Sequence, residues 1–280
     1  MTVVHARADW RDSPDTVAPT VLLLGGFLTS PPLYVQMRGR LLDRGAAAVV
    51  VAPVWLPDWL IATARGLGPV VTRSGRALLV ASAVAAASRS SRGAPLLVIG
   101  HSAGGVTARL LTTPEPFQGR PFTGAARMGA IVSLGTPHHV APVAAIGRRL
   151  GDVATAFAER VVPGAAFAPT TGYLAVTSRF VVGRPNGTPR ERAAARLYQG
   201  MIEVPAGAST SPLVEGDGLV PCRAALLEGA EHLMLDGIVH GQFGGAPWYG
   251  SPEAIDVWWP RALAVWRTAL SARVGGPDRP

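Results

Sequence analysis

The chain has 280 residues, 48% of them hydrophobic, and a formal net charge of +8, which is enough apolar material for one large core and excludes a disordered chain. All 26 basic residues are arginine and they are scattered rather than gathered into a stripe or tail, which argues against nucleic acid as a partner. The absence of lysine removes Schiff-base chemistry and a P-loop lysine, and the single cysteine, Cys222, removes an intrachain disulfide and a cysteine-based metal cluster.

The first residues, with Asp9, Arg11 and Asp12 close together, contain no apolar core of a signal peptide. Thr20 to Leu24 is a short apolar run ending in Gly25-Gly26, as in a strand buried on both faces of a parallel sheet. Leu33, Met37, Leu41 and Leu42 follow at helical spacing, and Ala46 to Ala52 reads as the next buried strand. Pro69 to Ser88 reads as a helix opening on a proline. Its apolar core, Ala77 to Ala87, is broken by Ser82 and flanked by Arg76 and Arg89, so no run reaches the roughly 18 residues of a membrane span. Pro95 to Ile99 is a third strand, Gly104 to Leu111 a helix and Met128 to Leu134 a fourth strand. The stretch from His138 to about Phe167, rich in Ala, Pro and Gly, is either a lid over the site or a plain surface connection. Tyr173 to Gly183 is strand-like, Glu191 to Glu203 a short helix and Glu231 to Leu235 a last strand. Ile255, Trp259, Leu263, Trp266 and Leu270 form the stripe of a terminal helix, expected to kink or break at Pro260. Strands alternating with helices in this way predict an α/β architecture over 1–280, a doubly wound, mostly parallel sheet flanked by helices, in a soluble, cytoplasmic protein. Ligands of such sheets sit beyond the carboxyl ends of the strands.

Gly100-His101-Ser102-Ala103-Gly104 matches G-x-S-x-G, a pattern that a chain this rich in glycine produces by chance about 0.2 times. Its context carries the weight. A predicted strand ends immediately before it and a helix opens immediately after, the setting that forces a serine onto a sharp exposed turn with its Oγ at a helix N-terminus. A serine hydroxyl needs a base. His5 precedes the fold, His101 belongs to the turn, His138 and His139 follow the fourth strand, and His232 sits at the last strand. His240 lies just beyond that strand, where this architecture delivers its base. The orienting carboxylate is expected between serine and histidine in chain order; Asp217, on a glycine-flanked loop, is preferred over Glu215 and Asp236. Oxyanion donors are expected at the amides of Ala103 and Phe27, the latter on the turn after the first strand.

Gly25-Gly26-Phe27-Leu28, Gly100-His101-Ser102-Ala103-Gly104-Gly105, Ser133-Leu134-Gly135-Thr136-Pro137-His138, Gly216-Asp217-Gly218-Leu219-Val220-Pro221 and His240 together resemble the α/β-hydrolase superfamily, in particular its lipase-like branch and proteins similar to GPI-inositol deacylases. The resemblance spans residues 20 to 270. It implies a serine hydrolase of carboxylic esters with Ser102, Asp217 and His240 as a triad, no cofactor or metal, and a small-molecule or lipid ester as substrate. Acyl transfer or thioester cleavage on the same triad, or a non-catalytic binding protein on this scaffold, are the alternatives. The resemblance also brings His138 near the substrate, although capping of a strand end serves equally for that residue. Leu28, Trp55, Trp59, Trp248 and Tyr249 stand on predicted loops and either line an acyl pocket or belong to the core.

Overall fold

The computed structural model describes residues 14–139, 151–199, 201, 213–242 and 245–275. Six strands, β1 (Thr20–Leu24), β2 (Ala48–Val51), β3 (Leu96–His101), β4 (Met128–Leu134), β5 (Gly172–Arg179) and β8 (Glu231–Asp236), form one sheet in the order β2-β1-β3-β4-β5-β8. Every neighbouring pair in it is parallel. β1, β3 and β4 are buried along their whole lengths, which is why they read as continuous apolar runs instead of alternating ones.

The pleat divides these runs between two cores. Val21, Leu23, Leu97 and Ile99 face α1 (Val35–Asp43) and α8 (Pro252–Val274), while Leu22, Leu24, Leu96 and Val98 face α2 (Leu56–Arg65), α3 (Gly68–Ala87) and α4 (Ala103–Leu110). The chain leaves β1 towards β2 and returns to β3 on the other side of β1. The carboxyl ends of β1 and β3 therefore flank the point where the strand order reverses, the crevice in which open α/β sheets hold their ligands.

Four departures from the sequence reading have physical causes. The 53–59 segment, read as a loop, mostly enters α2, whose first amide is met from outside the helix: the Leu56 N–H donates to Ser30 Oγ at 3.1 Å. The run 173–183 is two strands, with Phe180 between β5 and β6 (Val181–Gly183); β6 pairs antiparallel with β7 (Val214–Gly216) in a separate small sheet beside α6 (Pro189–Gln199). α8 continues through Pro260, an exposed position, because buried Trp258, Trp259 and Trp266 clamp it to the core and their indole N–H groups donate to the carbonyls of Tyr249, Arg44 and Pro95 at 2.9, 3.0 and 2.8 Å. Finally, α3 does have the length and apolar composition of a membrane span, which the criterion of an unbroken run passed over; here it is an outer layer with Val70, Val71, Leu78 and Ala81 buried against the sheet.

Of the expected 138–167 excursion, 140–150 lie outside the described residues. Its later part forms α5 (Gly151–Val161), which packs Ala154 and Ala158 into the same core as α4.

Candidate active site

β3 runs straight into Ser102, the N-cap of α4, at φ 54° and ψ −126°. A left-handed, non-glycine residue there costs about 1–3 kcal/mol and persists only where the surroundings hold it. Here they do. The Ser102 N–H donates to Leu134 O on β4 at 2.9 Å, and the two glycines of the motif let strand and helix close on the turn. A Cβ on Gly100 would come within 2.4 Å of the Gly105 backbone, and one on Gly104 within 2.2 Å of Leu24 O on β1.

Asp217 follows β7 and is 1% exposed, yet both oxygens are satisfied. Oδ1 accepts from the Leu219 and Val220 amides at 3.0 and 2.8 Å; Oδ2 accepts from His240 Nδ1–H at 2.8 Å and from Tyr249 Oη–H at 2.9 Å. Burial alone would raise its pKa. The neighbouring His240, as charge and as donor, and the two amides outweigh that and hold it below the ordinary carboxylate value. Burial, reinforced by the Asp217 charge, pushes Tyr249 well above its ordinary value, so its hydroxyl remains a donor. His240, on the loop beyond β8, is fixed a second time by its own backbone, whose N–H donates to Asp217 O at 3.0 Å. With Nδ1 committed to the carboxylate, the opposite ring nitrogen is the one available to a proton from outside.

His101 links this loop to the turn after β1. It is buried, and burial, with the His240 charge added, lowers its pKa to about 3, so the ring is neutral. Its Nε2 lies 2.7 Å from the His240 carbonyl, which only accepts, so Nε2 carries the hydrogen and Nδ1 accepts from Tyr34 Oη–H at 2.8 Å. Tyr34 Oη in turn accepts from the Gly26 N–H at 2.8 Å. The next two amides on these segments, Phe27 and Ala103, donate to no partner among the described residues. They are the two expected to bind an oxyanion.

Ser102, His240, Asp217, Gly26 and Phe27 share the wall of one cavity of about 400 Å³. The rest of the wall is largely apolar: Leu33 and Trp248, Phe180 and Val181 from the β5–β6 junction, Ala193 and Ala194 from α6, Leu219 and Val239.

No protein-family model matches the chain, and neither does any curated protein sequence. Among solved structures it is similar to lipase BlEst2 from Bacillus licheniformis in its mature form, at 14% identity and a TM-score of 0.58 over 90% of this chain and 94% of that one. The chain has the α/β-hydrolase fold. An esterase of the planctomycete Thermogutta terrifontis, solved with propionate bound, is similar at 14% identity and a TM-score of 0.47, covering 97% of this chain and 89% of that one. A dienelactone hydrolase from Anabaena variabilis is similar at 15% identity and a TM-score of 0.42, covering 90% and 87%.

Within the α/β-hydrolase fold the other expected site residues scatter. Trp248 lines the cavity. Trp55 caps α2 and is 47% exposed, Leu28 is 45% exposed on the turn after β1, and neither reaches the cavity wall. Trp59 is buried, its indole N–H donating to Thr29 O at 3.1 Å. His138 is completely buried off the cavity, with Nε2 2.9 Å from Ser133 Oγ and its N–H donating to Ala224 O at 2.7 Å. It is not part of the cavity wall, and its side chain folds back under the end of β4, towards Ser133. Asp236 is ion-paired with Arg179 at 2.9 Å on the surface and Glu215 is exposed on β7, so neither meets His240. Sequence reasoning missed the Tyr34–His101 link and the whole wall formed by Phe180, α6 and Leu219. Neither carries a local signal, since both depend on which distant segments meet.

Proposed function

We propose that the protein is a serine hydrolase that cleaves carboxylic esters. The observation that carries this reading is the buried Asp217–His240 hydrogen bond opening onto the same cavity as a serine held on a strained turn, with two undonated amides beside it. Ser102 Oγ attacks the ester carbonyl carbon while its proton passes to His240 Nε2, and Asp217 stabilises the imidazolium that results. The carbonyl oxygen gathers negative charge and is met by the Phe27 and Ala103 N–H groups; each such donor is worth about 10²–10³ in rate. The imidazolium then protonates the departing alkoxide as the C–O bond breaks. Water, deprotonated by the same imidazole, releases the acid and restores Ser102. The apolar wall supports an acyl or alkyl group as what the cavity accommodates.

A fluorophosphonate probe and a series of p-nitrophenyl esters of increasing chain length test the reading. Wild-type protein is expected to be labelled and to release nitrophenol, and Ser102→Ala to do neither. A wild type that resists labelling, or a mutant with undiminished turnover, defeats the proposal.

A further inference from the structure

Among the described residues, and apart from the reacting groups, the cavity wall carries one charged side chain. Arg190, in the first turn of α6, lines it with its guanidinium 3.7 Å from the centroid of the Phe180 ring. Among the described residues it makes no ion pair and no hydrogen bond. Its neighbours are all engaged: Arg184 pairs with Glu191 at 3.2 Å, and Arg192 donates to Gly187 O at 2.8 Å. Among the described residues no acid pairs with it: Glu191 is taken by Arg184 and by the Thr188 amide, and both Asp217 oxygens already accept two donors each.

A guanidinium stacked on an aromatic face is restrained in orientation, while its N–H groups, lying in the guanidinium plane, stay free to donate in the fork that matches a carboxylate or phosphate. The stack therefore presents an aimed, unanswered cation beside an apolar wall. α6 adds to the field, with three arginines against one glutamate and its N-terminus at the Arg190 end.

We infer that the cavity takes esters bearing an anionic group, a carboxylate or a phosphate, which Arg190 binds while Ser102 is acylated. The inference rests on the ester-hydrolase reading above and specifies its substrate class. It requires the substrate to carry both a hydrolysable ester and an anion within the reach of a cavity of about 400 Å³.

Two matched pairs test it. The first compares the 4-nitrophenyl monoester of glutaric acid with its methyl ester, placing a carboxylate on the acyl side and reading nitrophenol. The second compares 1-butyrylglycerol 3-phosphate with 1-butyrylglycerol, placing a phosphate on the alcohol side and reading butyrate. In at least one pair the anionic member is expected to be favoured by about tenfold in kcat/KM, chiefly through KM. Arg190→Gln is expected to bring that ratio to about one, and Arg190→Lys, which keeps the charge without the fork, to an intermediate value. Arg190 is exposed, so both variants are expected to fold, with an unchanged fluorophosphonate-labelling stoichiometry as the check. Ratios at or below one in both pairs, in protein that labels and turns over the neutral esters, overturn the inference and leave the hydrolase reading standing. So does a preference that Arg190→Gln leaves unchanged, the result if the arginine merely covers Phe180. Failure to label or to turn over any ester removes the hydrolase reading and this inference with it.

Discussion

Two aspartates close to His240 in sequence or in space have opposite surroundings, and the difference favours Asp217 as the acid of the proposed triad. Asp217 is buried and accepts four hydrogen bonds, one of them from His240. Asp236 is only four residues from His240 in the chain but is 72% exposed at its side chain and held by Arg179. Asp217→Asn presents an amide where the histidine needs an acceptor and favours the wrong tautomer, a change that costs serine hydrolases about 10⁴-fold in kcat. Asp236→Asn removes one surface ion pair, worth about 0–1 kcal/mol of stability, and is expected to leave kcat within about twofold. Steady-state kinetics on the two variants check this, and the reverse order would hand the acid role to Asp236. Chain order alone was enough to prefer Asp217 from the sequence. The four bonds that satisfy it were not legible there, because Tyr249 and the Val220 amide reach the carboxylate only through the folded loop.

At the scale of elements, the turn after β1 and the loop after β8 are tied through Tyr34 and His101, so the two halves of the proposed catalytic apparatus are not independent. Tyr34→Phe deletes the hydroxyl that accepts from Gly26 N–H and donates to His101 Nδ1. The phenyl ring still fills the buried site, so the fold is expected to survive. What is lost is the fixed register of Phe27, the residue immediately after Gly26. With Phe27 N–H as a proposed oxyanion donor, slack there lowers kcat more than it raises KM, because that contact strengthens only in the transition state. The expected loss is about tenfold in kcat with KM within about twofold, and a change confined to KM would refute the coupling. The elements that form this apparatus were readable from period and run length: β1, β3 and α4 fall within one or two residues of expectation. α2 and the unbroken α8 were not. α2 carries Pro57 in its first turn, where a proline is compatible with a helix, whereas in α8 the burial of Trp258, Trp259 and Trp266 overrides the signal of the internal Pro260.

For the whole molecule, the parallel order of strands followed from alternation of period, whereas the β6–α6–β7 wall did not, because its partner strands are separated by a helix and pair outside the main sheet. The same long-range assembly buries two histidines, with a consequence for stability. Burial, with the His240 charge added, holds His101 at about 3, and burial, with Arg109 added, holds His138 well below its ordinary value. Both rings are thus neutral in the folded state at pH values where the unfolded chain, titrating near 6.5, binds protons. Above about pH 6.5 neither state is protonated and the two histidines give no pH dependence. Below it the unfolded state gains protons that the folded state refuses, so stability falls on acidification until the folded values are reached. The slope is about 1.4 kcal/mol per pH unit for each histidine. Asp217, whose folded value is depressed, adds a loss in the same direction only in the carboxylate range, below about pH 4. Urea midpoints between pH 7.5 and 4.5 are therefore expected to drop steadily once below about 6.5. His138→Gln, which keeps a side-chain amide near Ser133 Oγ but does not titrate, is expected to roughly halve that slope. Midpoints that stay level from pH 7.5 to 5 would mean that the two rings take up protons without unfolding, and that their burial costs the charged forms little.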